Sequence, residues 1–373
     1  MKKVLLKDLL FNESKITKIA TEISSVNSVF KKNDFIYAVL AEFPKLELKA
    51  RISWIAQCLK QYLPENYQQA TNIIIASLPA PNNPNLTDND FGDFIYASYA
   101  DFIAKNGCNK SDLSFSLNAL YEITQRFSVE DAIRYFINSF PSETLQELQK
   151  WSKDSNYHVR RLCSEGTRPK LPWSKKINIS PHNAIAILDN LVIDKTRFVT
   201  RSVANHINDI SKIDSDLAIK ILTRWQESHE KLDKEWHYIV RHSLRFLIKN
   251  CNLKALEFLG ITHNPNIKIF DVKVSKEVKM NTALEFSFAI QAYETTKIIV
   301  DYIIYFCNKS GNTNRKKVFK FKNFSLAENE SLILKKNHIL YENMTTRKLF
   351  SGQHIIEINI NGKSYEKQSF LVI

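Results

Sequence analysis

DSNYHVRRL (154–162), DKTRFVTRS (194–202) and EWHYIVRHS (235–243) are three versions of one phrase. Each has an acidic residue five positions before a valine, with basic residues around or after that valine. The valines are Val159, Val199 and Val240, so the phrase recurs after 40 and then 41 residues. A period of this length accommodates two helices and their turns. A helix pair cannot bury its apolar stripe alone, so successive pairs must stack, and equivalent positions then line up along one side of the stack.

Working outward, this predicts a solenoid of HEAT-like helical repeats over residues 1–262. FIYAVLAEF (35–43), RISWIAQCLKQYL (51–63), DFIYASYADFIA (93–104) and LSFSLNALYEI (113–123) place apolar residues at three- and four-residue spacing, as helices do. PAPNNPNLTDND (79–90) reads as a loop. From about residue 263 the period changes. ALEFSFAIQA, KIIVDYIIYF, KVFKFKNF, SLILKK, HIIEINI and SFLVI are short alternating or apolar runs rich in β-branched and aromatic residues, and Asn361-Gly362 is a hairpin turn. About seven such strands in roughly 110 residues predict an antiparallel, immunoglobulin-like β-sandwich over 263–373, without a Cys-Trp-Cys core. The fold class is therefore multidomain, α then β, with the boundary at the His263-Asn264-Pro265-Asn266 junction.

The net charge of +13 and pI of about 9.3 point to a polyanionic partner. Residues 1–150 hold 16 basic against 17 acidic residues, whereas 151–250 and 251–373 each hold 18 against 11, so the cationic surface begins in the second half of the solenoid. The five cysteines are an odd number and widely spaced, which fits reduced thiols in the cytoplasm rather than a disulfide framework or a zinc site. The start, MKKVLLKDLLFNESK, is broken by Lys7 and Asp8 too early for a signal-peptide core, and no apolar run approaches a membrane span. HEKLDKEWH (229–237) begins like a metalloprotease helix, but its second histidine comes eight residues on, beyond one turn, so no metal site is expected. Phosphate-binding loops, dinucleotide glycine patterns and nucleophile elbows are absent from the sequence.

HVRRLCSEGTRPKLPW (158–173) does not read as scaffold. Arg161 and Glu165 are four apart on one helical face, as are Arg201, Asn205 and Asp209 one repeat later. Stacking brings Glu165 toward Asn205 and Asp209, flanked by Arg161 and Arg201. Two readings compete for the arginines: phosphate contacts, or ion pairs between neighbouring repeats. Glu165 fits the second reading poorly. It faces the negative end of a helix dipole, at a cost of about 0.3–1 kcal/mol, and a residue placed against local preference is a site candidate. Glu130, in SVEDAIRYF, reads as a first-turn glutamate behind a Ser128 N-cap, with Asp131 completing a capping-box-like arrangement. Trp173 closes a stiff two-proline loop, where a stacking role competes with core packing. Trp151, Trp225 and Trp236 read as packing residues. Arg160, Arg161, Arg168, Lys170 and Arg201 along the groove, and Arg315, Lys316 and Lys317 in the sandwich, are the candidate phosphate contacts.

SEGTRPKLPW, followed by RSVANHINDISK (201–212), resembles the AlkC branch of the bacterial DNA alkylation repair glycosylases, some of which carry a C-terminal immunoglobulin-like domain. The resemblance spans residues 1–262 and the sandwich behind them. It implies a monofunctional glycosylase that excises cationic N3-methylated bases, chiefly 3-methyladenine and 3-methylcytosine, from double-stranded DNA, without a cofactor and without flipping the lesion into a deep pocket. It also implies that Glu165, Asp209 and Glu130 are catalytic-site carboxylates, that Trp173 contacts the lesion, and that the sandwich acts as a DNA clamp. The expected protein is a monomer in the bacterial cytoplasm, associated with the nucleoid. The rival readings are a non-enzymatic HEAT scaffold for an acidic partner, and a DNA-structure binder whose site has decayed.

Overall fold

A computed structural model of the chain describes residues 5–83, 91–228, 234–344 and 347–373. Most of the loop expected at 79–90, and His229 of the rejected metal motif, thus lie outside the described residues. Helices occupy the chain from Leu6 to Phe258, and strands follow from Ile267. The four periodic segments in the first third form helices Lys32–Glu42, Leu48–Tyr62, Ala97–Gly107 and Leu113–Thr124. The way these helices form is illustrated by Glu13–Val26. Asn12 caps it by accepting from the Lys15 backbone N–H at 3.1 Å, and Ile16, Ile19, Ala20 and Ile23 form its buried stripe. Among the described residues no helix is long and apolar enough to cross a membrane. All five cysteines are free. Trp151, Trp225 and Trp236 are buried, and the Trp225 indole donates to Asp189 at 2.7 Å.

The repeated phrase lies at the start of helices Tyr157–Gly166, Arg197–Ile210 and Lys234–Ser243. Neighbouring members of this set pack directly on one another, and Val159, Val199 and Val240 are buried between them. Its acidic position has a physical role. Asp194 pairs with Arg160 of the repeat before, and Glu235 pairs with Arg197 of the repeat before, while Asp154 accepts from Tyr121 at 2.9 Å. The acid thus ties each repeat to its predecessor.

The chain divides into two compact units: one comprises Met1–Ile213 and Trp225–Ser243, the other Asp214–Arg224 and Leu244–Ile373. The second unit contains strands β1 (Ile267–Val274), β2 (Glu277–Val278), β3 (Ala283–Ala292), β4 (Thr296–Phe306), β5 (Arg315–Leu326), β6 (Ser331–Ile339), β7 (Asn343–Met344), β8 (Arg347–Lys348), β9 (Gly352–Ile360) and β10 (Lys363–Val372). One sheet has the order β1-β3-β6 and the other β2-β10-β9-β4-β5, with β7 and β8 as a separate pair. Phe286, Phe288 and Ile290 of the first sheet and Val300, Tyr302 and Ile304 of the second belong to the two apolar clusters of the core. Seven of the strands are eight residues or longer, in line with the seven read from the sequence. Asn361 and Gly362, both at positive φ, form the tight β9–β10 turn.

Asn361 also explains why the last helices go with the strands. Its side-chain amide donates to Thr262 O at 2.7 Å and Lys297 O at 3.0 Å, and its carbonyl accepts from Ile299 N at 2.7 Å. Cys251 lies so close to Gly362 that a Cβ there would meet the cysteine at 2.5 Å. Burial pushes the Asp301 carboxyl up to about 6, against the pull of Lys320 and of Lys249 from the preceding helix. A composition shift marks where strands begin, but the packing that joins helix to strand lies upstream of it.

Candidate active site

Three helices and one loop of the first unit build the site. Asn156 caps the Tyr157–Gly166 helix, which is buried along almost its whole length, so Glu165 emerges in its last turn with little freedom. Gly166 is required there: a Cβ would meet Ile133 Cγ2 of the Glu130–Ser139 helix at 2.6 Å. This close approach lets the two helices share one polar seam.

Along that seam acid and base alternate. Glu130 Oε2 accepts from Arg161 Nη1 at 3.0 Å, and Arg161 Nη2 lies 3.7 Å from Glu165 Oε1. The same Glu165 oxygen accepts from Arg168 Nη1 at 2.6 Å, while Oε2 accepts from Ser202 Oγ at 2.6 Å. Arg168 then reaches Asp209 Oδ2 through Nε at 2.9 Å and Nη2 at 2.8 Å, and Lys212 closes the series on Asp209 Oδ1 at 3.0 Å. Arg161 also stacks over the Phe198 ring, 4.5 Å from its centroid. Glu165 is 5% exposed and Asp209 2%. Burial would raise the Glu165 pKa, but Arg161, Arg168 and the Ser202 hydroxyl outweigh it and hold the carboxyl below its usual value. Burial pushes the nearby His206 imidazole down to about 4, so it is neutral at physiological pH.

Glu165 and Asp209 are thus brought together, as the repeat alignment anticipates, but through different partners. The guanidinium between them belongs to Arg168, from the loop after the helix. The side chain of the next repeat that meets Glu165 is Ser202, one turn before Asn205, and Asn205 Oδ1 lies 2.8 Å from His242 Nε2 instead. Ser128 does not cap its helix. Val129 takes that position without a side-chain bond, and the Ser128 hydroxyl accepts from Arg161 at 2.7 Å, claimed by the next repeat. Asp131 completes no capping box and pairs with Lys49 at 2.8 Å. The guanidinium groups of Arg160, Arg161 and Arg168 are engaged in ion pairs inside the protein, which is the inter-repeat role of the competing reading. Lys170 is exposed and Arg201 half-buried. Arg315, Lys316 and Lys317 are exposed at the start of β5.

Trp173 is 75% exposed and sits at φ 65°, a left-handed conformation that costs a bulky residue energy. Its carbonyl accepts from Lys49. It stands at the rim of a cavity of about 280 Å³ whose walls include Leu48, Ile52, Phe127, Glu130 and Tyr135. Sequence reasoning missed Ser202, His206, Lys49 and Arg134. Nothing in their local pattern marks them, because each is recruited by a segment more than 30 residues away. Among the described residues, no group of three His, Cys, Asp or Glu side chains is arranged to hold a metal ion.

Residues 95–242 match the family described as DNA alkylation repair enzyme, and residues 268–373 match the domain described as the C-terminal Ig-like domain of the uncharacterised protein YhaZ. The chain is 30% identical over 368 residues to the uncharacterized protein YhaZ of Bacillus subtilis (strain 168), covering 97% of this chain and 98% of that one. It is also similar to the alkylpurine DNA glycosylase AlkC of Pseudomonas fluorescens, whose structure was solved bound to DNA containing an abasic site analog. That likeness has a TM-score of 0.88 at 30% identity and covers 99% of this chain and 100% of that one. The resemblance carried by SEGTRPKLPW is borne out over the helical part and the sandwich alike. The chain belongs to the DNA alkylation repair family, in its AlkC-like branch with a C-terminal immunoglobulin-like domain.

Proposed function

We propose that this protein is a monofunctional DNA glycosylase that hydrolyses the N-glycosidic bond of cationic N3-methylated bases, 3-methyladenine and 3-methylcytosine, in duplex DNA. The observation that carries the reading is the seam Glu130–Arg161–Glu165–Arg168–Asp209, in which three carboxylates face two guanidinium groups. A base methylated at N3 already carries positive charge and leaves as a neutral molecule, taking the bond electrons with it. It needs no proton donor, and Glu165, held ionised, does not act as one. What the reaction needs is negative charge near the sugar as C1′ becomes cationic, and fixed charges in a water-poor site are the most effective source. Water then bonds to C1′ and passes its proton to one of the carboxylates, which also orients it.

Glu165 and Asp209 are the proposed electrostatic pair, Glu130 the more open third carboxylate, and Trp173 the aromatic that meets the lesion. Arg161 and Arg168 hold the carboxylates rather than the phosphates. Phosphate contacts then fall to Lys170 and Arg201, and in the sandwich to Arg315, Lys316 and Lys317. The test is release of free base from methylated duplex DNA, followed by chromatography. Release of 3-methyladenine or 3-methylcytosine, lost in Glu165→Gln, supports the reading. No release by a folded protein that binds duplex DNA would leave a binding scaffold in its place.

A further inference from the structure

Arg134, on the Glu130–Ser139 helix, is 1% exposed, and among the described residues no carboxylate lies within ion-pair distance of it. A buried cation without an anion is costly, so its acceptors are informative. All three are backbone carbonyls of one segment, from the helix end at Gly166 to Lys175 in the loop that follows. Nη1 donates to Gly166 O at 3.0 Å and to Arg168 O at 2.9 Å, and Nε donates to Lys175 O. Gly166 ends the helix that presents Glu165. Arg168 supplies the guanidinium that joins Glu165 to Asp209. Lys175 lies just beyond Trp173. One side chain therefore ties both ends of the segment that carries the proposed chemistry.

Its charge also answers the puzzle of Glu165. A carboxylate in a last helical turn sits against the partial negative charge of unbonded carbonyls. Arg134 places its positive charge on one of those carbonyls, that of Gly166, the residue after Glu165. Burial lowers the Arg134 pKa to about 10, which leaves it charged at neutral pH, and its charge is felt by Glu165 and Asp209 in turn.

We infer that Arg134 is a positioning residue for excision: it fixes Arg168 between Glu165 and Asp209 and offsets the helix end, so that both carboxylates are held in place. This rests on the function proposed above. The groups that face the two carboxylates are Arg161 on the Tyr157 helix, Arg168 on the loop, His206 and Lys212 on or just after the Arg197 helix, and Glu130 and Arg134 on the Glu130 helix. Removing one cation from this set raises the proton affinity of Glu165.

The test uses the full chain and methylated duplex DNA, with single-turnover excision at saturating enzyme, affinity for undamaged duplex, and the pH profile of the rate. Arg134→Gln is expected to lower the saturated rate at least about tenfold with affinity within about twofold, and to move the acid limb to higher pH. Arg134→Lys keeps the charge but not the fork, and is expected to lose only about three- to fivefold with the limb unmoved. Arg51→Gln is the control. Arg51 is a buried arginine that also binds carbonyls, those of Lys7, Phe11, Phe43 and Leu46, and its loss should lower stability and leave the profile alone. In a Glu165→Gln background, Arg134→Gln should add little further loss. Wild-type rate and profile in folded Arg134→Gln, or a loss that merely tracks the unfolded fraction as in Arg51→Gln, overturns the inference. Should Arg134→Gln not fold, a wild-type saturated rate in Arg134→Lys overturns it. Full activity in Glu165→Gln alone brings down the functional reading instead.

Discussion

At the scale of single residues, the site is a set of charges that only make sense together. Glu165→Gln and Asp209→Asn should each lower excision at least about tenfold, a loss of only about 1.4 kcal/mol in transition-state stabilisation. Affinity for undamaged duplex should stay near that of the parent, because both carboxylates are bound to side chains within the protein and neither can hold a phosphate. Both variants should also melt earlier. Removing one member of a buried pair costs about 3–5 kcal/mol, and the amide that remains keeps an acceptor, which places the cost toward the lower end. Full excision activity in both would take the carboxylates out of the mechanism. His206 offers a separate test by pH. Its folded pKa of about 4 lies below the ordinary 6.5, so between these values the unfolded chain takes up a proton that the folded chain refuses. Stability should therefore fall as pH drops from about 6.5 to 4, by on the order of 3 kcal/mol from this group. Glu165, with its depressed pKa, adds its loss only below about 4.5. Urea midpoints of His206→Asn should be flatter across the upper window, and an unchanged slope would mean that the imidazole is charged when folded. Of these residues, Glu165 is legible in the sequence because it violates a helix preference, and Asp209 because it lies one turn after Asn205, the residue at repeat spacing from Glu165. His206 is not, and Arg168 is legible only as a candidate phosphate contact and not as the link between the two carboxylates, since an imidazole within a helix and an arginine in a loop break no local rule.

At the scale of elements, the repeated acid is the feature the sequence displays best. Its period gives the stacking direction, and the structure gives its work, which is to accept from the preceding repeat. The strength of the tie depends on burial. In the Arg160–Asp194 pair the side chains are 17% and 4% exposed, and Asp194 also accepts from Thr196 N at 2.8 Å. In the Arg197–Glu235 pair they are 38% and 29% exposed. Asp194→Ala should then cost about 3 kcal/mol, as a largely buried pair does, whereas Glu235→Ala should cost about 1 kcal/mol or less, as solvated pairs do. Chemical denaturation of the two variants reads the difference directly, and equal costs would mean that the ladder is not what holds the repeats in register. Other local readings fail for an instructive reason. Ser128 followed by Glu130 and Asp131 has the composition of a cap, yet the hydroxyl and the Asp131 carboxylate are taken by Arg161 and Lys49 from other repeats. In a solenoid, a side chain at a helix start is within reach of the neighbouring repeat, and a charge-assisted bond outcompetes a neutral cap.

At the scale of the whole molecule, the change from helical to strand periodicity near residue 263 is legible, but the units that fold together are not. A periodicity reports the conformation of a segment and says nothing of what covers it, and the helices after Leu244 belong with the strands. A chain ending at Thr262 loses the Asn361 amide that binds Thr262 O, the Lys297 ammonium that binds Leu259 O, and Gly362 packed against Cys251. Such a chain should keep the cooperative melting of the first unit while residues 244–261 lose hydrogen-exchange protection, because protection follows buried contacts. It also loses residues 263–373, which hold 17 basic against 10 acidic side chains. If these supply part of the grip on DNA, the truncated chain should bind undamaged duplex at least about tenfold more weakly at low salt, with a shallower salt dependence that counts the phosphate contacts removed. The carboxylate seam lies wholly in the first unit, so excision should return when the truncated enzyme is supplied well above its weakened Kd. A truncated chain that binds and excises as the full chain does removes the sandwich from the reaction. One that binds normally yet never excises assigns it a part in shaping the DNA for cleavage, since affinity would then be intact and only the approach of C1′ to the carboxylates would be lost.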